Sequence, residues 1–330
     1  MKMTSIREVA KIAGVSPSTV SRVMNGTAKV DEEKQQRVLA AIEQTGFKPN
    51  ELARALFKKS SKMIGVIVPN IENPFFNEMA KAIEEEVFRG GYKMLLCNSN
   101  DDGEKELANI EMLSQMKADG IVIMTNCDST GKAIANCEIP VVVVDRKVSG
   151  GGEIAYIESN HYEGGRIAMN HLLQCGCKNI VCMRAPQELS SGRKRYQGYQ
   201  DVCKQYGIKE QFVDCKYSYD SGIEATKNIL KEYPEADGII ACNDMVAAAV
   251  YKILHNEGLR VPEEIQIIGF DNIVFSRLFT PEFTTIEQPI TDMGTLAARI
   301  IIEYVQGKPF QKENIFDVTL LKRQTTKVKE

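Results

Sequence analysis

Near the start of the chain, Ser16, Pro17, Ser18, Thr19, Ser21 and Arg22 stand close together, followed by Asn25. An arginine there could read guanine through two parallel N–H groups. Hydroxyls and helix N-termini suit phosphate oxygens. A second set is spread along the chain: Asn73, Phe75, Phe76, Asp145, Arg146, Arg195, Tyr217, Asn243, Asp271 and Gln288. Carboxylates and amides match hydroxyl groups, and aromatic faces cover C–H surfaces. That is the mixture a sugar requires, because a buried hydroxyl left without its partner is expensive. Each residue alone has an ordinary structural role: Asp271 could cap a turn, Asn73 could cap the next helix, and Arg146 could make an ion pair.

Signals for catalysis or metal binding are weak. No Gly-x-Ser-x-Gly is present, and no phosphate loop with Lys-Ser/Thr. Gly164-Gly165 and Gly150 to Gly152 lack dinucleotide-fingerprint spacing. His161, His171 and His255 form no ligand pattern, and the nine cysteines have no paired zinc spacing. Most of those cysteines adjoin apolar runs, as buried free thiols do. No enzyme activity, cofactor or metal is expected.

The first set lies on a segment that predicts three short helices. Ile6, Val9, Ala10 and Ala13 follow helical spacing, and Gly14-Val15 breaks the run. Ser16 is a good N-cap, and Pro17 suits the first helical position. Val20, Val23 and Met24 form the next apolar stripe, closed by Asn25-Gly26. A third helix is expected over about 31–45, with Val38, Leu39 and Ile42 inward and Gly46 as its stop. Helix, glycine-containing turn, second helix is helix-turn-helix spacing. Pro17, Ser18, Ser21 and Arg22 fall on the exposed side of the second helix. A short helix capped by Asn50 follows, with Leu56 as a candidate wedge for a minor groove. The polar run Lys58 to Lys62 marks a boundary.

The second set lies at strand ends in an alternating strand and helix body. Continuous apolar runs such as Met63 to Val68 and Val141 to Val144 indicate parallel strands covered on both faces. The pattern starts again after Glu158, so two α/β halves are expected, each with its own sheet. A last strand is expected from Ile315 to Leu321, and Arg195 is expected to open a helix. Ligands sit beyond the carboxyl ends of such strands, which makes the cleft between halves the default site.

Charge and composition agree with this division. The first 62 residues carry 12 basic and 6 acidic side chains, whereas the whole 330-residue chain has a net charge of -3. A basic head on an acidic body suggests a polyanionic partner. A hydrophobic content of 43% excludes disorder. No apolar stretch approaches the roughly 20 residues a bilayer requires, and the first residues lack a signal-peptide core. A cytoplasmic location is expected, with no membrane partner.

The chain resembles the lactose/galactose repressor family of bacterial transcription regulators. The run Ile6-Arg7-Glu8-Val9-Ala10-Lys11-Ile12-Ala13-Gly14-Val15-Ser16 and the run Thr19-Val20-Ser21-Arg22-Val23-Met24-Asn25-Gly26 are specific for it. Gly46-Phe47-Lys48-Pro49-Asn50 and Ala53-Arg54-Ala55-Leu56 are similar to its hinge. Gly65 to Pro69, Asn73-Pro74-Phe75-Phe76, Asn243-Asp244 and Gly269-Phe270-Asp271 are similar to its body. The resemblance extends from about Thr4 to Thr326 and implies an α/β chain: a three-helix helix-turn-helix head on a two-lobed body like a periplasmic binding protein.

The expected domains are a DNA-binding head at 1–49, a hinge helix and linker at 50–62, and an effector-binding and dimerisation body at 63–330. Within the body the first lobe is expected at about 63–160 and 275–288, and the second at about 161–274 and 289–320. Three crossovers are expected: near Ser159 to Tyr162, near either Asn272 to Phe275 or Glu287 to Pro289, and near Leu320.

The resemblance also implies a homodimer on double-stranded operator DNA. Pro17, Ser18 and Arg22 occupy base-reading places, Ala53 belongs to the hinge helix, and Leu56 matches the leucine that enters the minor groove. The tail after Thr319 has no leucine heptads and argues against an appended tetramer bundle. Asn73, Phe75, Phe76, Asp145, Arg146, Arg195, Asn243, Asp271 and Gln288 are similar to pentose-holding positions of ribose-binding relatives, which makes ribose the leading effector. Tyr217 departs, standing where those relatives have phenylalanine, and leaves room for another small or phosphorylated sugar. Inducers and corepressors both occur in the family.

Two alternatives accompany this reading. Tyr219-Asp220-Ser221-Gly222 and Arg299 resemble a catabolite-control branch that takes a phosphorylated carrier protein as corepressor. A plain solute-binding protein would share the body but have no use for the head.

Overall fold

The computed structural model describes residues 5–25, 30–47, 60–127, 130–148 and 154–327. The chain divides into two compact units between Ser61 and Lys62.

The head is built from α1 (Ile6–Ala13), α2 (Pro17–Asn25) and α3 (Glu32–Thr45). Ser5 and Glu8 close a reciprocal capping box at the start of α1. Gly14 ends α1 with a left-handed φ of 64°, a conformation that favours glycine. Val9, Ala10, Ala13, Val20, Val38 and Ala41 form the core. The expected inward set on α3 changes in one place: Leu39 is exposed and Ala41 is buried, with Ile42 at the margin. Ala41 lies three residues after Val38, so those two share a face that Leu39 flanks.

The body holds two six-stranded sheets. In the first lobe β1 (Met63–Val68), α4 (Pro74–Arg89), β2 (Lys93–Asn98), α5 (Gly103–Gln115), β3 (Gly120–Ile123), α6 (Gly131–Ala135), β4 (Val141–Val144) and β5 (Ile154–Ser159) follow one another. In the second lobe come α7 (His161–Gln174), β6 (Ile180–Arg184), α8 (Ser190–Tyr206), β7 (Phe212–Asp214), α9 (Tyr219–Glu232), β8 (Gly238–Ile240), α10 (Asp244–Asn256), β9 (Gln266–Asp271) and β10 (Thr284–Glu287). The chain then returns to the first lobe as α11 (Ile290–Val305) and β11 (Glu313–Phe316), and ends in the second as β12 (Thr319–Leu321). The first sheet has the order β11-β5-β4-β3-β1-β2 and the second the order β12-β10-β9-β8-β6-β7. The pairings are parallel except at the edge, where β12 runs antiparallel to β10.

Strand pairing reverses the expected split of the C-terminal third. Segment 275–288 belongs to the second lobe, because β10 pairs with β9 in register from Thr284↔Ile268 to Glu287↔Asp271. Most of 289–320 belongs to the first: Ile290, Met293, Ala297 and Ile301 of α11 share a core with Met79 and Ile83 of α4. The single strand expected from Ile315 to Leu321 is two strands in different sheets. The crossovers therefore fall at Asn160, at Gln288-Pro289, and at Asp317-Val318. The apolar residues on both sides of Asp317 conceal this, because Phe316 packs on the first-lobe core and Val318 and Leu320 on a core of the second.

Candidate functional site

In the head, the residues before and within α2 form a hydroxyl cluster. Ser16 Oγ accepts from the Thr19 amide at 3.2 Å and caps the helix. It also lies 2.7 Å from Ser18 Oγ and 2.9 Å from Thr19 Oγ1. Ser16, Pro17, Ser18 and Arg22 are exposed, and Thr19 and Ser21 are half-buried. Val20, one position on from Thr19, is wholly buried and anchors the opposite face. One face of α2 is thus fixed to the core while the other presents hydroxyls and a guanidinium. Asn25 ends α2; its side chain, together with Asn50, Ala53 and Leu56, lies outside the described residues.

In the body, seven of the ten expected residues meet where the two lobes face each other. Asp145 follows β4 at φ 73°, and Asp271 ends β9 at φ 108°. Neither conformation is common for a side-chain-bearing residue, and such strain gathers at functional sites. Arg146 Nε lies 3.2 Å from Asp145 Oδ2 and donates to Ser191 Oγ at 2.9 Å. Arg195 donates to the Cys242 carbonyl at 2.7 Å, with Nη2 3.6 Å from Asp271 Oδ1. Gln288 Nε2 donates to the same Asp271 oxygen at 2.6 Å. The Tyr217 ring lies under both guanidiniums, 5.1 Å from Arg146 and 5.7 Å from Arg195. Asn243 reaches the Tyr217 carbonyl through Nδ2 at 3.3 Å, while its Oδ1 caps α10 through the Val246 amide.

Electrostatics follow from burial. Asp271 is pushed up to about 7, because burial outweighs the help of Arg195 and Gln288. Burial likewise raises the Tyr217 phenol. Asp244 is raised well above the carboxylate range by burial and by Asp271. It supports the site from beneath, accepting from Thr285 Oγ1 at 2.6 Å and from the Ile273 amide at 3.0 Å. Two buried acceptors at the seam, Asp145 Oδ1 and Gln288 Oε1, have no hydrogen-bond donor.

Asn73, Phe75 and Phe76 serve α4. Asn73 Oδ1 accepts from the Phe75 amide at 3.1 Å and caps the helix. Phe75 and Phe76 pack edge to face at 5.3 Å within the first-lobe core, which also takes in Ile273 beyond Asp271. Arg195 does not open its helix: α8 begins at Ser190 and places Arg195 one turn inside it.

His161, Ser190 and Ser191 are site neighbours that sequence reasoning passed over. His161 Nδ1 accepts from Arg195 Nε at 3.3 Å, and Ser190 Oγ accepts from the Lys147 amide at 3.1 Å. The available signals are the position of His161 where the strand and helix pattern starts again after Glu158, and of Ser190-Ser191 just ahead of the helix expected to open at Arg195. Two of the residues that suggest a carrier-protein corepressor, Ser221 and Arg299, have local partners. Ser221 Oγ donates to Cys215 Sγ and accepts from the Lys216 amide, and Arg299 Nε lies 3.6 Å from Glu86.

Among the described residues there is no group of three or more His, Cys, Asp or Glu side chains that could hold a metal, and no helix long and apolar enough to cross a membrane. Six cysteines, among them Cys182, Cys203 and Cys242, are buried free thiols.

A helix-turn-helix head and a two-lobed binding body define a class, the DNA-binding transcription regulators that carry a solute-binding domain. Residues 5–50 match the bacterial regulatory proteins of the lacI family, and residues 61–325 match the periplasmic binding proteins and sugar binding domain of that family. This chain belongs to the lacI family. The ribose operon repressor of Halalkalibacterium halodurans is 37% identical over 326 residues, 98% of each chain. A periplasmic binding protein/LacI transcriptional regulator from Alkaliphilus metalliredigens, solved with D-xylulofuranose, is 35% identical with a TM-score of 0.74, over 81% of this chain and 100% of that one. The lac repressor dimer bound to operator and an anti-inducer is 26% identical with a TM-score of 0.87, over 98% of this chain and 99% of that one.

Proposed function

We propose that this chain represses transcription as a homodimer on operator DNA, and that a pentose, ribose first, bound between the lobes sets its affinity for that DNA. The observation that carries the sugar assignment is the meeting, at one seam, of Arg146, Arg195 and Asp271 with two of the buried acceptors that have no donor, Asp145 Oδ1 in the first lobe and Gln288 Oε1 at the second crossover. Buried polar atoms are almost always paired, and both of these call for donors. A hydroxyl-rich ligand supplies donors at several angles. Asp271 accepts further hydroxyls, Arg146 and Arg195 donate to ring or hydroxyl oxygens, and Asn243 adds an amide. The Tyr217 ring covers a C–H face, and the family resemblance assigns the facing wall to Phe75 and Phe76, which pack in the first-lobe core at the start of α4. Two of the relatives, a ribose operon repressor and a regulator solved with a five-carbon ketose, support the same ligand class.

Both guanidiniums already meet carboxylates, Arg146 with Asp145 and Arg195 with Asp271. Arg146 is thereby matched by Asp145, and Arg195 is matched as Asp271 ionises, which favours a neutral sugar over a sugar phosphate above about pH 7. In the head, Pro17, Ser18 and Arg22 face base edges, Ser16, Thr19, Ser21 and Asn25 hold backbone phosphates, and Asn50, Ala53 and Leu56 belong to the hinge contact at the operator centre.

Sugar controls DNA binding only if its affinity differs between the DNA-bound and free states. Duplexes selected by this chain from a random pool, followed by fluorescence anisotropy with ribose, xylulose, arabinose and ribose 5-phosphate, test the proposal. The expected result is a steep salt dependence of DNA binding and a shift of about tenfold in Kd with ribose. Selected duplexes whose affinity no pentose alters would overturn it.

A further inference from the structure

Four side chains of the first two turns of α8 reach toward the first lobe or the crossover. Ser190 Oγ accepts from the Lys147 amide at 3.1 Å, and Ser191 Oγ from Arg146 Nε at 2.9 Å. Lys194 Nζ donates to Glu158 Oε2 at 2.7 Å, and Arg195 Nε donates to His161 Nδ1 at 3.3 Å. The last of these differs from the rest, because it passes through a second side chain before it reaches the other lobe.

His161 is fully buried and stands one residue beyond the crossover at Asn160. Because its Nδ1 accepts from a guanidinium that can only donate, the ring proton must sit on Nε2. Nε2 faces the Asp145 carbonyl oxygen at 3.1 Å, and there it donates. A continuous chain results: Asp271, Arg195, His161, Asp145. It joins the carboxylate at the end of β9 to the backbone carbonyl of Asp145 just beyond β4, one from each lobe.

We propose that His161 is a positioning residue that couples the ligand groups of the two lobes, holding Asp145 and Arg195 in mutual register without touching the ligand itself. This rests on the sugar-binding function proposed above. The role demands a side chain with an acceptor on one edge and a donor on the other, and neutral imidazole supplies both. Lysine would set a cation against Arg195. Serine would not span the gap.

The ring must also stay uncharged. It faces Arg195 and Lys194 from α8, Arg146 and Asp145 from the segment after β4, and the Phe270 ring of β9 at 6.2 Å. Burial, with Arg195 next, holds its pKa well below 6.5. A proton on Nδ1 would remove the acceptor that Arg195 uses and place two cations in contact.

Two measurements test the assignment. The first is nitrogen-15 NMR of the imidazole in the sugar-free full-length protein. The expected spectrum shows Nε2 protonated and Nδ1 bare, unchanged from pH 8 to pH 5. A ring protonated on Nδ1, or one titrating near 6.5, overturns the assignment. This experiment needs no variant and no ligand, so it stands even if ribose fails to bind, a result that would sink the proposed function instead.

The second compares His161→Phe with His161→Gln by calorimetry and anisotropy, with circular dichroism as the control for folding. Phenylalanine keeps the volume and breaks both bonds. Sugar affinity should fall about tenfold, in line with the loss of a hydrogen bond to a charged group, and the sugar-dependent shift in operator affinity should vanish. Glutamine keeps a donor toward Asp145 and should recover part of the shift. Wild-type sugar binding and a wild-type shift in the phenylalanine variant would overturn the coupling role.

Discussion

Gln288 Nε2 donates to Asp271 Oδ1 at 2.6 Å across the point where the chain leaves the second sheet for the first. Asp271 ends β9, and Gln288 lies one residue beyond β10, its neighbour in the sheet. The bond therefore ties a site carboxylate to a crossover, and any turn of one lobe against the other pulls on it.

Asp271 should make both stability and sugar binding depend on pH. Burial raises its carboxyl from 3.8 to about 7 in the folded chain. The folded state then keeps a proton that the unfolded state releases, so stability from this group is fully present below pH 4 and is lost as pH rises toward 7. A sugar hydroxyl that donates prefers the carboxylate, so affinity should rise from pH 6 to pH 8. Asp271→Asn should flatten both profiles and weaken sugar binding at pH 8 by about 10- to 100-fold, with operator binding retained. Urea midpoints and calorimetry across this range provide the check, and parallel profiles in variant and wild type would contradict the protonation argument.

The Tyr217 ring matters more than its hydroxyl. The hydroxyl lies 3.4 Å from Ser191 Oγ, at the limit of a hydrogen bond, whereas the ring lies under two guanidiniums. Contacts of that kind contribute about 0.5–2 kcal/mol each. Tyr217→Phe should leave pentose affinity within about threefold, and Tyr217→Leu should lower it about tenfold or more. Equal losses in the two variants would assign the work to the hydroxyl.

The alternation of apolar runs and helices made the two α/β halves legible, and Asp145, Arg146, Asn243 and Asp271 were found because each follows a strand. What stayed hidden was nonlocal. The partner of a strand is not written in its own residues, so Thr284–Glu287 and Ile290–Val305 were assigned to the wrong lobes, and one apolar run from Ile315 to Leu321 proved to feed two sheets. His161, read from sequence only as a histidine outside any metal pattern, has no visible role for a similar reason: a lone histidine at a helix start acquires meaning only when Arg195, distant in sequence, is placed 3.3 Å away.

Helix contact also controls Arg195. A Cβ on Gly165 of α7 would lie 2.0 Å from the Arg195 carbonyl oxygen, and one on Gly198 of α8 would lie 2.1 Å from the Tyr162 carbonyl oxygen. The two helices thus touch backbone to backbone through a pair of glycines. Gly165→Ala should force them apart, lower stability by about 1–3 kcal/mol as overpacking does, and weaken sugar binding by displacing Arg195. Urea unfolding and calorimetry together decide the point. Full stability combined with full affinity would show that the helices separate freely.

Arg22 tests the head independently of the body, since the two form separate units. The side chain is exposed on the face of α2 opposite buried Val20. If it reads a base, Arg22→Ala should weaken binding to a selected duplex by about 1–3 kcal/mol and relax preference at one base position, while a scrambled duplex is bound nearly as before. If it holds a phosphate instead, affinity should fall equally for all duplexes, and the salt slope should decrease by about one. Competition binding at several salt concentrations separates these outcomes. Ribose affinity should be the same in variant and wild type, because no sugar-site residue lies in the head.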